Sequence, residues 1–311
     1  MGYSLAVSLL FCQVRRGMNF SLRYNLFMRE LIPVEPVDYL VMGHLAVDIT
    51  PHGNQLGGSA AYAALTARAL GLRVGIVTSV GEDAPLGVLN GIHIVSVPSK
   101  FSTMFENVKT NNGRKQTLYH PASPLSLEHL PQAWMNTPVI HLAPIAQELD
   151  PQLPAQLSTT LLGVTPQGWM RAWDETGRVS ACAWENREQS LRHAGAVVLS
   201  VEDVNRDLEL VELLAHQTRG VLCVTEAEAG AVVYWNGDRR RFRPPQVKEV
   251  DGTGAGDIFA AAFFTRLYAT RDPWEAARFA THLAAHSVTR EGINGIPTQR
   301  EIEASLMEVL S

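Results

Sequence analysis

The sequence predicts an α/β fold with a doubly wound, mostly parallel sheet and flanking helices. Apolar runs rich in branched residues recur along the chain, as expected of strands that are covered on both faces. Stretches with apolar residues at helical spacing lie between these runs. No repeat, low-complexity tract or linker interrupts the alternation, which favours one domain over residues 34–311.

The first βαβ unit is predicted within residues 37–81. The run VDYLVMGHLAVDI (37–49) predicts a nearly continuous buried strand that ends beside Asp48. GGSAAYAALTARALG (57–71) predicts a helix that ends at Gly71, and RVGIVTSVG predicts the next strand. The two strands are then parallel. Asp48 is expected at the carboxyl edge of this sheet, where ligands bind in open α/β folds.

The remaining elements continue this alternation. Buried strands are predicted within 138–145, 160–166, 194–201 and 220–227, and a helix over 207–217. Residues 230–245 predict a hairpin that turns at Asn236-Gly237 and whose arginines form a solvated strand edge. Residues 101–120 predict a second antiparallel hairpin at one edge of the sheet. GAGDIFAAAFFTRLYA and DPWEAARFATHLAAHSVTR predict two long helices near the C-terminus.

Composition and charge narrow the classes of partner. The net charge is −5 and no basic stripe is present, so nucleic acid and anionic membrane surfaces are not expected partners. Three scattered cysteines support neither a disulfide framework nor a zinc site, and a cytoplasmic location is expected. Residues 1–33 predict a dispensable extension rather than a targeting signal, because Arg15 and Arg16 follow the apolar run instead of preceding it.

The glycine run in VDGTGAGDIFAAAFF (250–264) predicts an anion-binding helix start. Gly254, Ala255 and Gly256 are small enough for a close approach, and the first N–H groups of the following helix lack partners within it. Asp257 places a carboxylate beside that site, as phosphoryl transfer requires of a base that takes the proton of an attacking hydroxyl. The simpler alternative is a tight turn in which Asp257 only caps the helix. A dinucleotide loop is disfavoured, because Asp257 occupies the third-glycine position of G-x-G-x-x-G.

These residues resemble a known family. DGTGAGDIFAAAFF is similar to the signature of the ribokinase-like (PfkB) carbohydrate kinases. Five further stretches resemble that family in order and spacing over roughly 37–300: GHLAVD, GGSAAYAALTARALG, VGED, VTEAEAG and AARFATHLAAHSVTREG. The resemblance implies a ribokinase-like fold, ATP as the donor, Mg²⁺ with its phosphates, and a small sugar or polyol as the acceptor.

The resemblance also implies roles for individual residues. Asp257 would be the base, and the N–H groups of Gly254, Ala255 and Gly256 would stabilise the transferring phosphoryl group. The acceptor would contact Asp48, Gly57 and Gly58. The nucleotide side would be lined by Thr225, Gly230, Thr253, Thr281 and Gly292. Asp251, together with Thr253, matches a stretch that often binds a monovalent cation.

Several features depart from the family pattern, among them Gly252 in place of the usual Thr. Tyr62 stands where a substrate-contacting Asn is common, and Ala227 replaces a usual Gly. The N-x-x-E metal motif is matched only by Glu202 with Asn205, the two residue types exchanged. The interval from Ile49 to Leu56 is short for the family's lid, which predicts a reduced lid, a more open site and a monomer. The hairpin near 101–120 is a candidate for additional cover.

The short lid and three further stretches resemble the myo-inositol kinase branch of the family. These stretches are FSTMFEN, VTPQGWMR and AWEN, and the first implies that Glu106 and Asn107 lie near the acceptor. The favoured acceptor is therefore inositol or a related polyol. Another sugar, a nucleoside, and a kinase-like sensor that binds sugar or nucleotide without turnover remain as alternatives.

Overall fold

The computed structural model describes residues 34–51, 53–110 and 113–307, so the predicted extension over 1–33 lies outside the described residues. The strands are β1 Tyr39–Met42, β2 Ala46–Thr50, β3 Gly53–Gly57, β4 Val74–Val80, β5 His93–Pro98, β6 Thr103–Thr110, β7 Gly113–His120, β8 Val139–Leu142, β9 Leu161–Val164, β10 Arg171–Trp173, β11 Val179–Ala181, β12 Ala196–Ser200, β13 Val221–Thr225, β14 Ala231–Trp235 and β15 Asp238–Phe242. The helices are α1 Ser59–Ala69, α2 Arg187–His193, α3 Leu208–Gln217, α4 Ala255–Thr270, α5 Pro273–Ser287 and α6 Gln299–Met307.

The main sheet is mostly parallel, as predicted. Its strand order is β15-β14-β13-β12-β9-β8-β1-β4-β5. The seven strands from β13 to β5 are parallel, and β14 and β15 form an antiparallel hairpin at one edge. That hairpin turns at Asn236 and Gly237, with φ of 51° and 78°, which matches a two-residue turn of Asn-Gly type. The strand order reverses between β1 and β8, and such a switch point opens a ligand crevice at the carboxyl ends of the strands.

Helices α1, α4 and α5 cover one face of this sheet with a single apolar core. The core takes alternate strand residues, such as Val221 and Cys223 on β13, because side chains alternate between the two faces. Leu222 and Val224 are equally buried on the opposite face, where α3 contacts β13. Helix α4 is buried on nearly all sides, which fits its run of alanines and phenylalanines. No helix among the described residues is long and apolar enough to cross a membrane.

The strand predicted over 37–49 is interrupted, which corrects the first element of the sequence prediction. The chain leaves the main sheet after Met42 and enters a separate sheet at Ala46. A Cβ at Gly43 would lie 2.3 Å from the Ala143 carbonyl oxygen, so no side chain fits at the point where the chain leaves β1. Side chains satisfy the freed backbone: the His44 N–H donates to the buried Glu148 carboxylate, and the Leu45 N–H donates to the Thr78 hydroxyl.

The predicted hairpin at 101–120 exists, but it does not extend the main sheet. Its strands β6 and β7 join β2 and β3 in a separate four-stranded sheet of order β3-β2-β6-β7. We call this sheet the lid. Strand β2 pairs in parallel with β6, so the lid combines the short interval after Asp48 with the later hairpin. The lid is therefore larger than that interval alone predicts.

A buried histidine links the core to an expected pH dependence of stability. Hydrogen bonds of 3.0 Å join the His141 ring to the hydroxyls of Tyr39 and Thr165, and burial lowers its pKa to about 3. In the unfolded chain its pKa is about 6.5, so protons bind preferentially to the unfolded state as the pH falls from 6.5 towards 3. We expect His141 to cost the fold about 2 kcal/mol between pH 7 and pH 5.

Urea unfolding of wild type and His141→Gln at the two pH values measures this contribution. The glutamine amide can still bond both hydroxyls but does not titrate. The free energy of unfolding should fall about 2 kcal/mol more in the wild type than in the variant. An equal fall in both proteins would contradict the assignment.

Candidate active site

Asp48 lies in the middle of lid strand β2, not at the end of a main-sheet strand. Its carboxylate restricts a residue on the neighbouring strand β3: a Cβ at Gly57 would lie 1.9 Å from Asp48 Oδ2, so any side chain there would displace the carboxylate. Gly58 has φ of 86° and precedes α1, a backbone conformation that favours glycine. The pair Gly57-Gly58 therefore holds Asp48 close to the start of α1.

The structure separates the two lid residues that were predicted to contact the acceptor. Successive strand residues point to opposite faces of a sheet. Asn107 shares the Asp48 face: its side-chain amide donates to Asp48 Oδ1 at 3.4 Å and accepts from Gln116 Nε2 at 2.9 Å. Glu106 lies on the other face, where it accepts a 2.9 Å hydrogen bond from the exposed Tyr119 hydroxyl. Glu106 therefore lies on the outer face of the lid, away from Asp48 and from the predicted acceptor position. The reason is that neighbouring residues of one strand point to opposite faces of the sheet.

The glycine run forms the start of α4, as the sequence predicts. Gly254 is the N-cap with φ of 76°, and the Ile258 N–H donates to its carbonyl at 2.9 Å. A Cβ at Gly256 would meet no atom within 4 Å, so open space lies beside the first turn of the helix. N–H groups of a first helical turn have no partner within the helix, and the macrodipole is positive there. This end of α4 can therefore receive an anion.

Asp257 is the third residue of α4 and is partly buried. It is not the N-cap, since that position belongs to Gly254. The cap alternative is realised instead at the next helix, where the Asp272 side chain accepts from the N–H groups of Trp274 and Glu275. The carboxylate of Asp257 consequently accompanies the anion-binding turn without serving as its helix cap.

The loop before the glycine run is tied to a turn after α5. Asp251 accepts hydrogen bonds from the N–H and hydroxyl of Thr253 and, at 2.9 Å, from the N–H of Gly292. Gly292 has φ of 50° and begins the turn Gly292–Gly295. The Asp251 and Thr253 pair and Gly292 therefore lie together, as expected if they line one side of a shared pocket.

Tyr62 also lies at this site. In the sequence it stands out only because it occupies a position where the family usually has Asn. The residue is only 3% exposed. Burial raises the pKa of its hydroxyl far above the usual value, and the carboxylates of Asp48, Asp257 and Asp251 raise it further. The hydroxyl therefore lies in a region of negative charge. The signal in the sequence was a large polar aromatic in the first turns of a helix that otherwise consists of small residues.

The predicted nucleotide side lies further along the same carboxyl edge. Thr225 ends β13, and its carbonyl accepts the N–H of Val201. Gly230 has φ of 92°, and a Cβ there would lie 2.0 Å from the Phe242 carbonyl oxygen. Ala227, where the family usually has Gly, adopts φ of 48°, a left-handed conformation that costs about 1–2 kcal/mol for a residue with a Cβ. Thr281 is buried on α5, and its hydroxyl has no hydrogen-bond partner among the described residues.

The predicted metal residues Glu202 and Asn205 point away from the interior. Both are exposed, and Glu202 forms a 3.4 Å ion pair with Arg206. Asp203 between them turns inward and accepts from the Ser200 N–H and the Gln167 amide. Burial is the main cause that raises the pKa of Asp203. The described residues contain no group of three or more His, Cys, Asp or Glu that could hold a metal.

A family model described as pfkB family carbohydrate kinase matches residues 192–299, which include the glycine run and Asp257. Over these residues the chain is similar to the pfkB family carbohydrate kinases. Among curated proteins, a fructokinase of Escherichia coli is 28% identical over 304 residues, which cover 85% of this chain and 97% of that protein. A cytidine kinase of Thermococcus kodakarensis is 25% identical, and the match covers 82% of this chain and 98% of that protein.

Solved structures confirm the ribokinase-like fold of this chain. A pyrophosphate-dependent kinase of the ribokinase family, solved with a pyrophosphate analog and myo-inositol, superposes with a TM-score of 0.71 at 21% identity. The match covers 86% of this chain and 99% of that protein. The family resemblance and fold expected from the sequence are both confirmed, while the roles of the individual site residues stay predictions.

Proposed function

We propose that this protein transfers a phosphoryl group to a hydroxyl of a small sugar or polyol, with a myo-inositol-like acceptor favoured and ATP as donor. One observation carries the proposal: Tyr62 on α1, the helix that begins beside Asp48, packs on Gly254, the N-cap of the helix that carries Asp257. A carboxylate suited to orient acceptor hydroxyls and a carboxylate suited to act as a base thus converge beside a site for an anion.

The chemistry follows from this arrangement. The acceptor oxygen attacks the terminal phosphorus of ATP, its proton passes to the Asp257 carboxylate, and the bond to the ADP oxygen breaks. N–H groups at Gly254–Gly256 stabilise the charge on the phosphoryl oxygens. Mg²⁺ on the donor phosphates would neutralise further charge there, with Glu202 and Asn205 as predicted contacts. Asp251 and Thr253 stay the predicted site of a monovalent cation.

The inner face of the lid supports an acceptor that carries several hydroxyls. Asp48, Asn107 and Gln116 form a hydrogen-bonded row across three strands, beside the buried ring of Phe105. Carboxylate and amide groups in a row can bind neighbouring hydroxyls of one ring, and the phenyl group can contact its apolar face. The full-length similarity to a cytidine kinase supports a nucleoside acceptor as the second candidate.

The test is an acceptor panel with the purified full chain, ATP and Mg²⁺. ADP release is measured with myo-inositol, fructose, ribose and cytidine, with the acceptor omitted as the control. We expect the highest kcat/KM for myo-inositol. A higher value for cytidine would establish the nucleoside alternative. ATP binding without turnover of any acceptor would favour the sensor alternative. If the acceptor is phosphorylated only when pyrophosphate is supplied in place of ATP, with phosphate released, then pyrophosphate and not ATP is the donor. The cytoplasmic location and the monomeric state stay predictions.

A further inference from the structure

Tyr62 connects two parts of the site that are far apart in sequence. A Cβ added to Gly254 would lie 2.3 Å from both Cδ1 and Cε1 of Tyr62, so the ring packs directly on the N-cap of α4. A Cβ added to Gly292 would lie 3.7 Å from the Tyr62 hydroxyl oxygen. The phenol therefore reaches from the start of α4 to the turn Gly292–Gly295, whose N–H binds Asp251.

The ring contact constrains the anion-binding turn. Gly254 adopts a left-handed φ of 76°, and the ring leaves no room for a side chain there, so two independent causes require glycine. The carbonyl of Gly254 accepts the Ile258 N–H, which begins the hydrogen-bond ladder of α4. Whatever fixes Gly254 thus also fixes the start of the helix and Asp257 on its first turn.

The hydroxyl lies in a region of negative charge. Burial raises its pKa, and the carboxylates of Asp48, Asp257 and Asp251 raise it further, so the phenol is a neutral group there rather than a fourth anion.

We propose that Tyr62 is a positioning residue for phosphoryl transfer: its ring holds the Gly254 turn, and with it Asp257 on the first turn of α4, while its hydroxyl lies beside the Gly292 turn that binds Asp251. This inference rests on the proposed function, because it assigns the transferring phosphoryl group to the Gly254 turn and the base to Asp257.

Tyr62→Leu removes the ring from the Gly254 turn, Tyr62→Phe keeps the ring, and Tyr39→Phe is a control in the core. Tyr39 is also buried, but its hydroxyl bonds His141. We expect kcat to fall about 10- to 100-fold in Tyr62→Leu, as for a misplaced catalytic group, with less change in the KM for ATP, and Tyr62→Phe should restore most of kcat. Tyr39→Phe should lower stability and leave kcat in place. Wild-type kcat in Tyr62→Leu would reduce Tyr62 to a packing residue, and an equal loss in Tyr62→Phe would contradict the role of the ring.

A second measurement tests the ring without any turnover. Amide hydrogen exchange at Ile258 should accelerate at least about tenfold in Tyr62→Leu, because the Gly254 turn loses its support, and should stay unchanged in Tyr62→Phe. Unchanged exchange in Tyr62→Leu would overturn the role of the ring. Because exchange needs no substrate, this result stands apart from the proposed function, which fails if the wild type phosphorylates no acceptor.

Discussion

Asp257→Asn is expected to lower kcat by about 10²- to 10⁴-fold, the range associated with loss of a general base. Asparagine has nearly the same shape but cannot take the proton of the attacking hydroxyl. The variant should bind ATP as the wild type does, because the N–H groups of the α4 start remain in place. Single-turnover ADP formation and calorimetric ATP binding separate the chemical step from binding.

Asp272→Asn is the matched control for this substitution. Asp272 caps α5 through the N–H groups of Trp274 and Glu275, and asparagine caps helices about as well as aspartate. If Asp257 served only a structural role at its helix start, both variants would retain activity. Undiminished turnover in Asp257→Asn would therefore remove the base from the proposed mechanism, while loss of activity in Asp272→Asn would show that the assay reports folding instead.

Gly256→Ala is expected to reduce kcat/KM by at least about 100-fold without destabilising the protein, since a displacement near 1 Å costs about that much in an aligned site. The added methyl meets no protein atom within 4 Å and the backbone there is not left-handed, so the fold accommodates it. Alanine also favours a helix over glycine by about 1 kcal/mol. The methyl can only obstruct something that enters the open space beside the first turn, and the proposed occupant is the phosphoryl group.

The control is Gly87→Ala, at another position where a Cβ would meet no atom within 4 Å and no left-handed φ occurs. It should leave both activity and thermal stability near wild type. Steady-state kinetics with ATP and the best acceptor of the panel, together with thermal unfolding, measure both effects. Full activity in Gly256→Ala would show that no ligand approaches this turn closely.

The sequence by itself determined the elements that depend on local patterns. The apolar runs became the parallel strands, Asn236-Gly237 became the hairpin turn, and the small residues 254–256 became the start of helix α4. Each depends on interactions within a few residues: side-chain alternation, positive φ at a turn, and the unpaired N–H groups of a first helical turn.

Tertiary structure alone decided which of these residues meet. The break after Met42 falls where the chain that follows β8 packs against Gly43, a contact that no local pattern contains, and Asp48 therefore lies in the lid rather than in the main sheet. Asn107 joined Asp48 and Glu106 did not, because the pairing of β6 with β2 sets which face turns inward. Tyr62 became central through its packing on Gly254, since a contact between distant segments depends on how α1 and α4 pack together.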